Sequence, residues 1–211
     1  MIITRPEYDV STRYLSAWSK EIIKEAKRKN IEVIDLHAEK ASKKEFEGRV
    51  AKKDPDLVVL NGYGNTYCVT GHDEEVLVRA GHNSELLRNR ITYAVSCSSA
   101  SVLGNEVASF PYTTYIGYTD DFVFPLSQKC IRKPLQDERA GRCLKISNHV
   151  VLSLLKGHSS GEAVQRSKRM AQEEINKLLT STGDAEATFD ARILWWNLRN
   201  QVCLGDENKK I

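Results

Sequence analysis

No apolar stretch in this chain approaches the roughly 20 residues that a membrane-spanning helix needs. The first residues also lack the charged-then-apolar pattern of a signal peptide. A cytoplasmic protein with no membrane partner is expected. Cysteine is sparse, five thiols in 211 residues, with no CxxC pair and no HxxxH spacing. That excludes a disulfide framework, argues against any metal site of the zinc type, and fits a reduced compartment. Neither GxGxxG nor GxxxxGK[ST] occurs, so the glycine loops that cradle nucleotide phosphates are missing. Charge of one sign is missing too: 31 basic and 28 acidic side chains leave a net +3. So even a balance is a poor basis for a nucleic-acid face, and none is expected. The basic run Lys24–Lys29 falls on the polar face of a predicted helix and reads as solvated.

What is present is an ordinary globular composition, 41% apolar and 28% charged. The length suits one core with a helical appendage better than two domains. A single domain over 1–211 is therefore expected, its core about 1–126 and its helical C-terminal part about 137–205.

Met1–Thr4 reads as a first strand. Tyr14, Leu15, Trp18, Ile22, Ile23 and Ala26 then recur at helical spacing, with Ser11 or Asp9 as the cap. Ile31–Leu36 is a second strand and Ser42–Lys52 a polar helix. Leu57–Asn61 is a third strand, continuously apolar as when helices cover both faces. It leaves through Asn61-Gly62-Tyr63-Gly64-Asn65. Val76–Leu87 carries apolar residues at helical spacing among charges. Ile91–Val95 is a fourth strand running into Ser96-Cys97-Ser98-Ser99, and Tyr112–Tyr118 a fifth. Helices are expected over Ala140–Leu155, Gly161–Leu179 and Phe189–Leu204, with breaks at Gly157 and Ser181-Thr182-Gly183.

Strands alternating with helices imply an α/β fold with a mainly parallel sheet flanked by helices and a helical C-terminal extension. In such sheets function gathers beyond the carboxyl ends of the strands, here at Tyr63-Gly64 and Ser96-Cys97. A helix opening just after Cys97 would favour its thiolate, with Ser98 and Ser99 as caps. Gly64 offers an unobstructed backbone N–H from the neighbouring strand end. A nucleophile with two converging donors is what acyl transfer needs.

A strand ending in Asn-Gly-His-Gly, followed about thirty residues later by one ending in Ser-Cys, is the pattern of the caspase-like cysteine peptidases. That clan includes caspases, metacaspases, gingipains, clostripain, separase and the CHAT proteins. This chain resembles it over roughly Met1–Leu126: Leu57-Val58-Val59-Leu60-Asn61-Gly62 leads into Tyr63-Gly64, and Tyr93-Ala94-Val95-Ser96 into Cys97. The 34 positions from Tyr63 to Cys97 are nearer to gingipain-like and CHAT-like members, as is Tyr115-Ile116-Gly117-Tyr118 followed by Phe122 and Phe124. The resemblance implies the caspase-like fold, a peptide or protein substrate, Cys97 as nucleophile, and the Gly64 and Cys97 N–H groups as the oxyanion hole. It implies no metal and no organic cofactor. The histidine position, however, falls on Tyr63. A phenol titrates near pKa 10 and an imidazole near about 6.5, so tyrosine is a poor proton shuttle at neutral pH. Whether the chain is an enzyme therefore stays open between an active endopeptidase and a degenerate homologue.

Among the other histidines, His72 lies in the loop after the third strand and is the nearest substitute. His37 would stand three strand spacings of roughly 4.8 Å from the fourth strand, too far for contact. Asp120 and Asp121 follow the fifth strand and are candidates for a basic P1 side chain, against the alternative of a polar turn. Cys68 as a redox partner of Cys97, and an acidic phosphoacceptor pocket from Glu7, Asp9 and Asp35, are weaker readings. The competing function is a non-catalytic binding or scaffold module, whose apolar helix faces would take a protein partner or a second copy.

Overall fold

The structure is a computed structural model describing residues 1–180 and 185–211. The break expected at Ser181-Thr182-Gly183 lies outside the described residues. In chain order the elements are β1 (Ile2–Arg5), α1 (Val10–Trp18), α2 (Lys20–Arg28), β2 (Ile34–His37), α3 (Lys43–Lys53) and β3 (Leu57–Asn61). Then come β4 (Gly64–Asn65), β5 (Cys68–Thr70), β6 (Val76–Arg79), β7 (Ile91–Val95), α4 (Leu103–Ala108) and β8 (Thr114–Tyr118). The C-terminal part holds α5 (Glu138–Leu155), α6 (Ser160–Thr180), α7 (Ala185–Asn200) and β9 (Gln201–Gly205).

Six strands form one sheet in the order β2-β1-β3-β7-β8-β9. The first five are parallel, and only β9 runs antiparallel, along β8. Both central strands are buried along their whole length because helices cover both faces. Alternate residues serve opposite layers: Leu57, Val59, Ile91 and Tyr93 pack with α1, α2 and α5, while Val58, Leu60 and Ala94 pack with α3 and α4. The architecture is thus α/β with a mainly parallel mixed sheet. A third apolar cluster joins α5, α6 and α7 through Cys143, Ala171, Ile175 and Leu194. At its edge the buried Asp190 is held by Arg139 and Arg142, each at 2.7 Å.

Three expectations change. The first helix is two, because the chain turns at Ser19, whose hydroxyl bonds back to the Ser16 carbonyl at 3.2 Å. Its cap is Asp9, which forms a reciprocal capping box with Thr12. Val76–Leu87 is a strand and a 3₁₀ turn rather than a helix: Val76 and Val78 are strand formers that, with Arg79, pair with β5 in a small antiparallel sheet β4-β5-β6. The last helix ends at Asn200, and Gln201–Gly205 becomes β9, which gives the β8 edge a partner. Among the described residues, no helix is long and apolar enough to cross a membrane.

Candidate functional site

The ends of β3 and β7 are brought together by parallel pairing, Asn61 opposite Val95. Asn61 fixes the exit of β3: its amide donates to the Thr4 carbonyl at 2.8 Å and its N–H to the Thr4 hydroxyl at 3.0 Å. Beyond it the chain passes through two crowded positions. A Cβ on Gly62 would overlap the Thr70 carbonyl, and one on Gly64 would overlap the Ser96 hydroxyl and the Cys68 carbonyl. Glycine is therefore required by close approach, not by turn chemistry alone. The same Gly64 position lies 3.5 Å from the Cys97 carbonyl, and Ser96 Oγ donates to the Tyr63 carbonyl at 3.0 Å. Tyr63-Gly64 and Ser96-Cys97 are in contact.

Two backbone donors are left unpaired there. The Thr70 N–H donates to the Tyr63 carbonyl at 2.9 Å, so antiparallel alternation turns the Gly64 N–H away from β5. The Cys97 N–H donates to no group among the described residues.

A cavity of about 70 Å³ opens beside the thiol, space for about two water molecules. Its walls come from Ser11, Thr12 and Leu15 of α1, from Gly62 and Tyr63, from Val95 to Cys97, and from Phe122 and Phe124. It can hold a carbonyl group while the rest of a peptide lies outside.

The thiol itself is not primed. Residues 97–102 form turns and α4 starts only at Leu103, so the expected helix N-terminus at Cys97 is absent. The Ser98 N–H donates instead to the Asp120 carbonyl at 3.0 Å, and Ser99 Oγ accepts from Tyr115 at 3.0 Å, so neither serine caps a helix beside the sulfur. Burial pushes the Cys97 thiol above its ordinary range; the Phe122 N–H opposes this, and Asp121 and Asp120 add to it. The thiolate is disfavoured.

Tyr63 lines the cavity but its proton is committed. Its hydroxyl donates to Asp9 Oδ2 at 2.5 Å, and burial, reinforced by Asp9, raises its pKa. Burial would raise Asp9 as well, yet hydrogen bonds from Thr12 and Tyr63 hold it below the usual carboxylate range. The pair is a neutral phenol on a carboxylate, and neither member is free to take the thiol proton.

The remaining candidates divide. Asp120 and Asp121 flank the Cys97 turn: Asp121 accepts from Ser98 Oγ at 3.3 Å, and its N–H donates to Asp120 Oδ1 at 2.8 Å. His72 is not brought to Cys97; its ring packs edge-on against Tyr8 at 5.4 Å and accepts from the Glu7 N–H at 3.4 Å. His37 bonds Glu7 at 2.8 Å, at the far side of the sheet. Cys68 is buried with its thiol on Asn65 at 3.5 Å, and all five cysteines are free. Glu7 and Asp35 are joined through Ser16 and Arg5, while Asp9 stands apart on Thr12 and Tyr63, so the three do not form one pocket. Among the described residues, no cluster of His, Cys, Asp or Glu could hold a metal ion. The residues the sequence reading missed are Asp9, as the partner of Tyr63, and Thr70, which turns Gly64 outward. Asp9 was legible as a helix cap and as one member of a weaker acidic-pocket reading, not as the partner of Tyr63.

Compared with known proteins, the chain matches no family model and no curated protein.

Proposed function

We propose that this chain is a caspase-like cysteine peptidase disarmed at one position, a fold carrying the nucleophile and the oxyanion hole but not the proton carrier. The observation that carries this reading is the pair of unpaired N–H groups, Gly64 and Cys97, set beside a thiol that opens on a cavity. Attack would form a bond from Cys97 Sγ to the peptide carbonyl carbon, while the carbonyl electrons move to an oxygen held by those two donors. The thiol proton must then reach the leaving amine. An imidazole at position 63 performs that transfer in the resembled clan; a phenol bonded to Asp9 does not. Asp120 and Asp121 would receive a basic P1 side chain, and neither metal nor organic cofactor takes part.

The reading is tested by comparing the chain with Tyr63→His on an Arg/Lys-rich peptide library, with Cys97→Ala as the blank. Cys97-dependent cleavage by the histidine variant supports it. Cleavage by the original chain would mean that another group supplies the proton. Cleavage by neither favours the second reading, a binding module. That alternative draws on the raised thiol pKa and the closed Tyr63–Asp9 pair, which together leave a stable surface rather than a reactive one.

A further inference from the structure

Away from the thiol, a cleft of about 250 Å³ opens on the surface of α5 and α6, lined by His149 of α5 and by Arg166, Arg169, Met170 and Glu173 of α6. By volume it would hold several water molecules, at roughly 30 Å³ each, and so has room for a phosphoryl group. Arg166 and Arg169 stand one turn apart on the same helix, so their guanidiniums share a face. Neither makes a salt bridge or a side-chain hydrogen bond among the described residues, and Arg166 Nε is shielded from water without an acceptor. Their neighbours differ in this respect. On the next stretch of α5, Arg142 is paired with Asp190 at 2.7 Å and with Glu174 at 3.4 Å.

The groups facing the cleft are unequal in sign. Arg166 and Arg169 meet one carboxylate, Glu173, while Lys156 and His158 approach from the end of α5 and the following turn, and Glu21 from α2. His158 is itself drawn toward Glu162 at 3.6 Å. Burial, then Arg166 and Lys156, with a smaller push from His158 and against the pull of Glu21, holds the His149 imidazole below its ordinary pKa. On the cleft wall itself the two guanidiniums outnumber the one carboxylate. A second hollow, of about 290 Å³, adjoins along Met170; Ile146 is its other apolar residue, and Glu138, Arg142, Lys145 and Glu174 complete its walls.

We propose that this cleft is an anion site for a phosphomonoester, the phosphoryl oxygens taken by the guanidiniums of Arg166 and Arg169 and the organic part lying along Met170 toward Ile146. Guanidinium suits this ligand because its planar fork makes paired, charge-assisted hydrogen bonds to phosphoryl oxygens. The dianion also offsets the cationic neighbours that, after burial, hold the His149 pKa down. The site is independent of the Cys97 cavity, and its variants leave thiol reactivity unchanged.

The test titrates the full chain with inorganic phosphate and with phenyl phosphate at low ionic strength, reading the His149 ring resonances and calorimetric heats. Saturable binding with a rise in the His149 pKa is expected, the ester binding more tightly than phosphate if the Met170 hollow is used. Equal affinities would assign the site to free phosphate and remove the ester part of the proposal. Arg166→Gln with Arg169→Gln should weaken binding by about tenfold or more, with thermal unfolding as the check on folding. Glu173→Gln should act in the opposite direction and tighten it. No saturable change at His149, or binding indifferent to these substitutions, overturns the proposal.

Discussion

Two corners of one sheet edge, both at the carboxyl ends of parallel strands, are built on opposite terms. At the ends of β1 and β2 charge is dense and mutually consumed. Arg5 donates to both Asp35 oxygens, at 2.8 and 2.6 Å, and to the carbonyl and hydroxyl of Ser16; Ser16 donates to Glu7, which also binds His37. At the ends of β3 and β7, two N–H groups stand open beside a half-buried thiol and a small cavity. The first corner contains an arginine, two carboxylates, a serine and a histidine, each bonded to another of the set. The second holds titratable groups as well, Cys97, Tyr63, Asp9, Asp120 and Asp121, but what sets it apart is its two open backbone donors. Residue type alone is thus a weak guide to function, whereas an unsatisfied backbone donor costs stability and calls for a reason.

Converting residue 63 should sharpen that contrast most. Tyr63→His gives the open corner a proton carrier beside Asp9, and Cys97-dependent peptide cleavage should rise by about 10²- to 10⁴-fold. Progress curves on an Arg-containing fluorogenic peptide measure it. Breaking the closed corner comes next. Arg5→Met leaves Asp35 and Ser16 without their donor, and urea unfolding should record a loss of about 3 kcal/mol. That figure sits at the low end for buried pairs because Asp35 is about one-third exposed. A loss below about 0.5 kcal/mol would place this pair with exposed ones.

A smaller effect follows from Tyr63→Phe, which removes the donor to Asp9 and should cost about 1 kcal/mol at pH 7. The folded-state pKa of Asp9 is depressed, so the stability it contributes is present above its unfolded value and is lost as pH falls through the folded one. The gap between the original chain and the variant should therefore narrow below about pH 4. A gap independent of pH would break the link between Tyr63 and Asp9. Smallest is Asp121→Asn. With one of the groups that raise the Cys97 pKa gone, alkylation by iodoacetamide at pH 7 should quicken several-fold, but burial, the larger cause, persists. An unchanged rate would separate Asp121 from the thiol.

The sequence carried the parallel sheet because its central strands are unbroken apolar runs, and it carried the meeting of Gly64 with Cys97 because both lie just past such runs. It misled where a pattern was too short or ambiguous. Val76-Leu77-Val78 fits a helix face as readily as a three-residue strand pairing. Gln201–Gly205 continues the apolar content of α7 without a glycine or proline to mark the change. The missing helix at Cys97 has a different cause: Ser98, in a left-handed conformation with φ 54°, commits its N–H to Asp120, a tertiary contact that local spacing does not encode. The Tyr63–Asp9 bond joins residues 54 positions apart and was invisible for the same reason.

The antiparallel β9 gives the molecule a schedule. Tyr118, at the end of β8, accepts from Gln201, 83 positions later. Val123, beside the cavity-wall residue Phe122, is clamped in both directions by Asn197, and Trp196 donates to the Asp121 carbonyl. As a ribosome extends the chain, Cys97 and both glycines emerge long before these clamps exist. One wall of the thiol pocket therefore stays loose until α7 and β9 leave the exit tunnel. A nascent chain stopped near residue 180 would carry the nucleophile in an unfinished pocket.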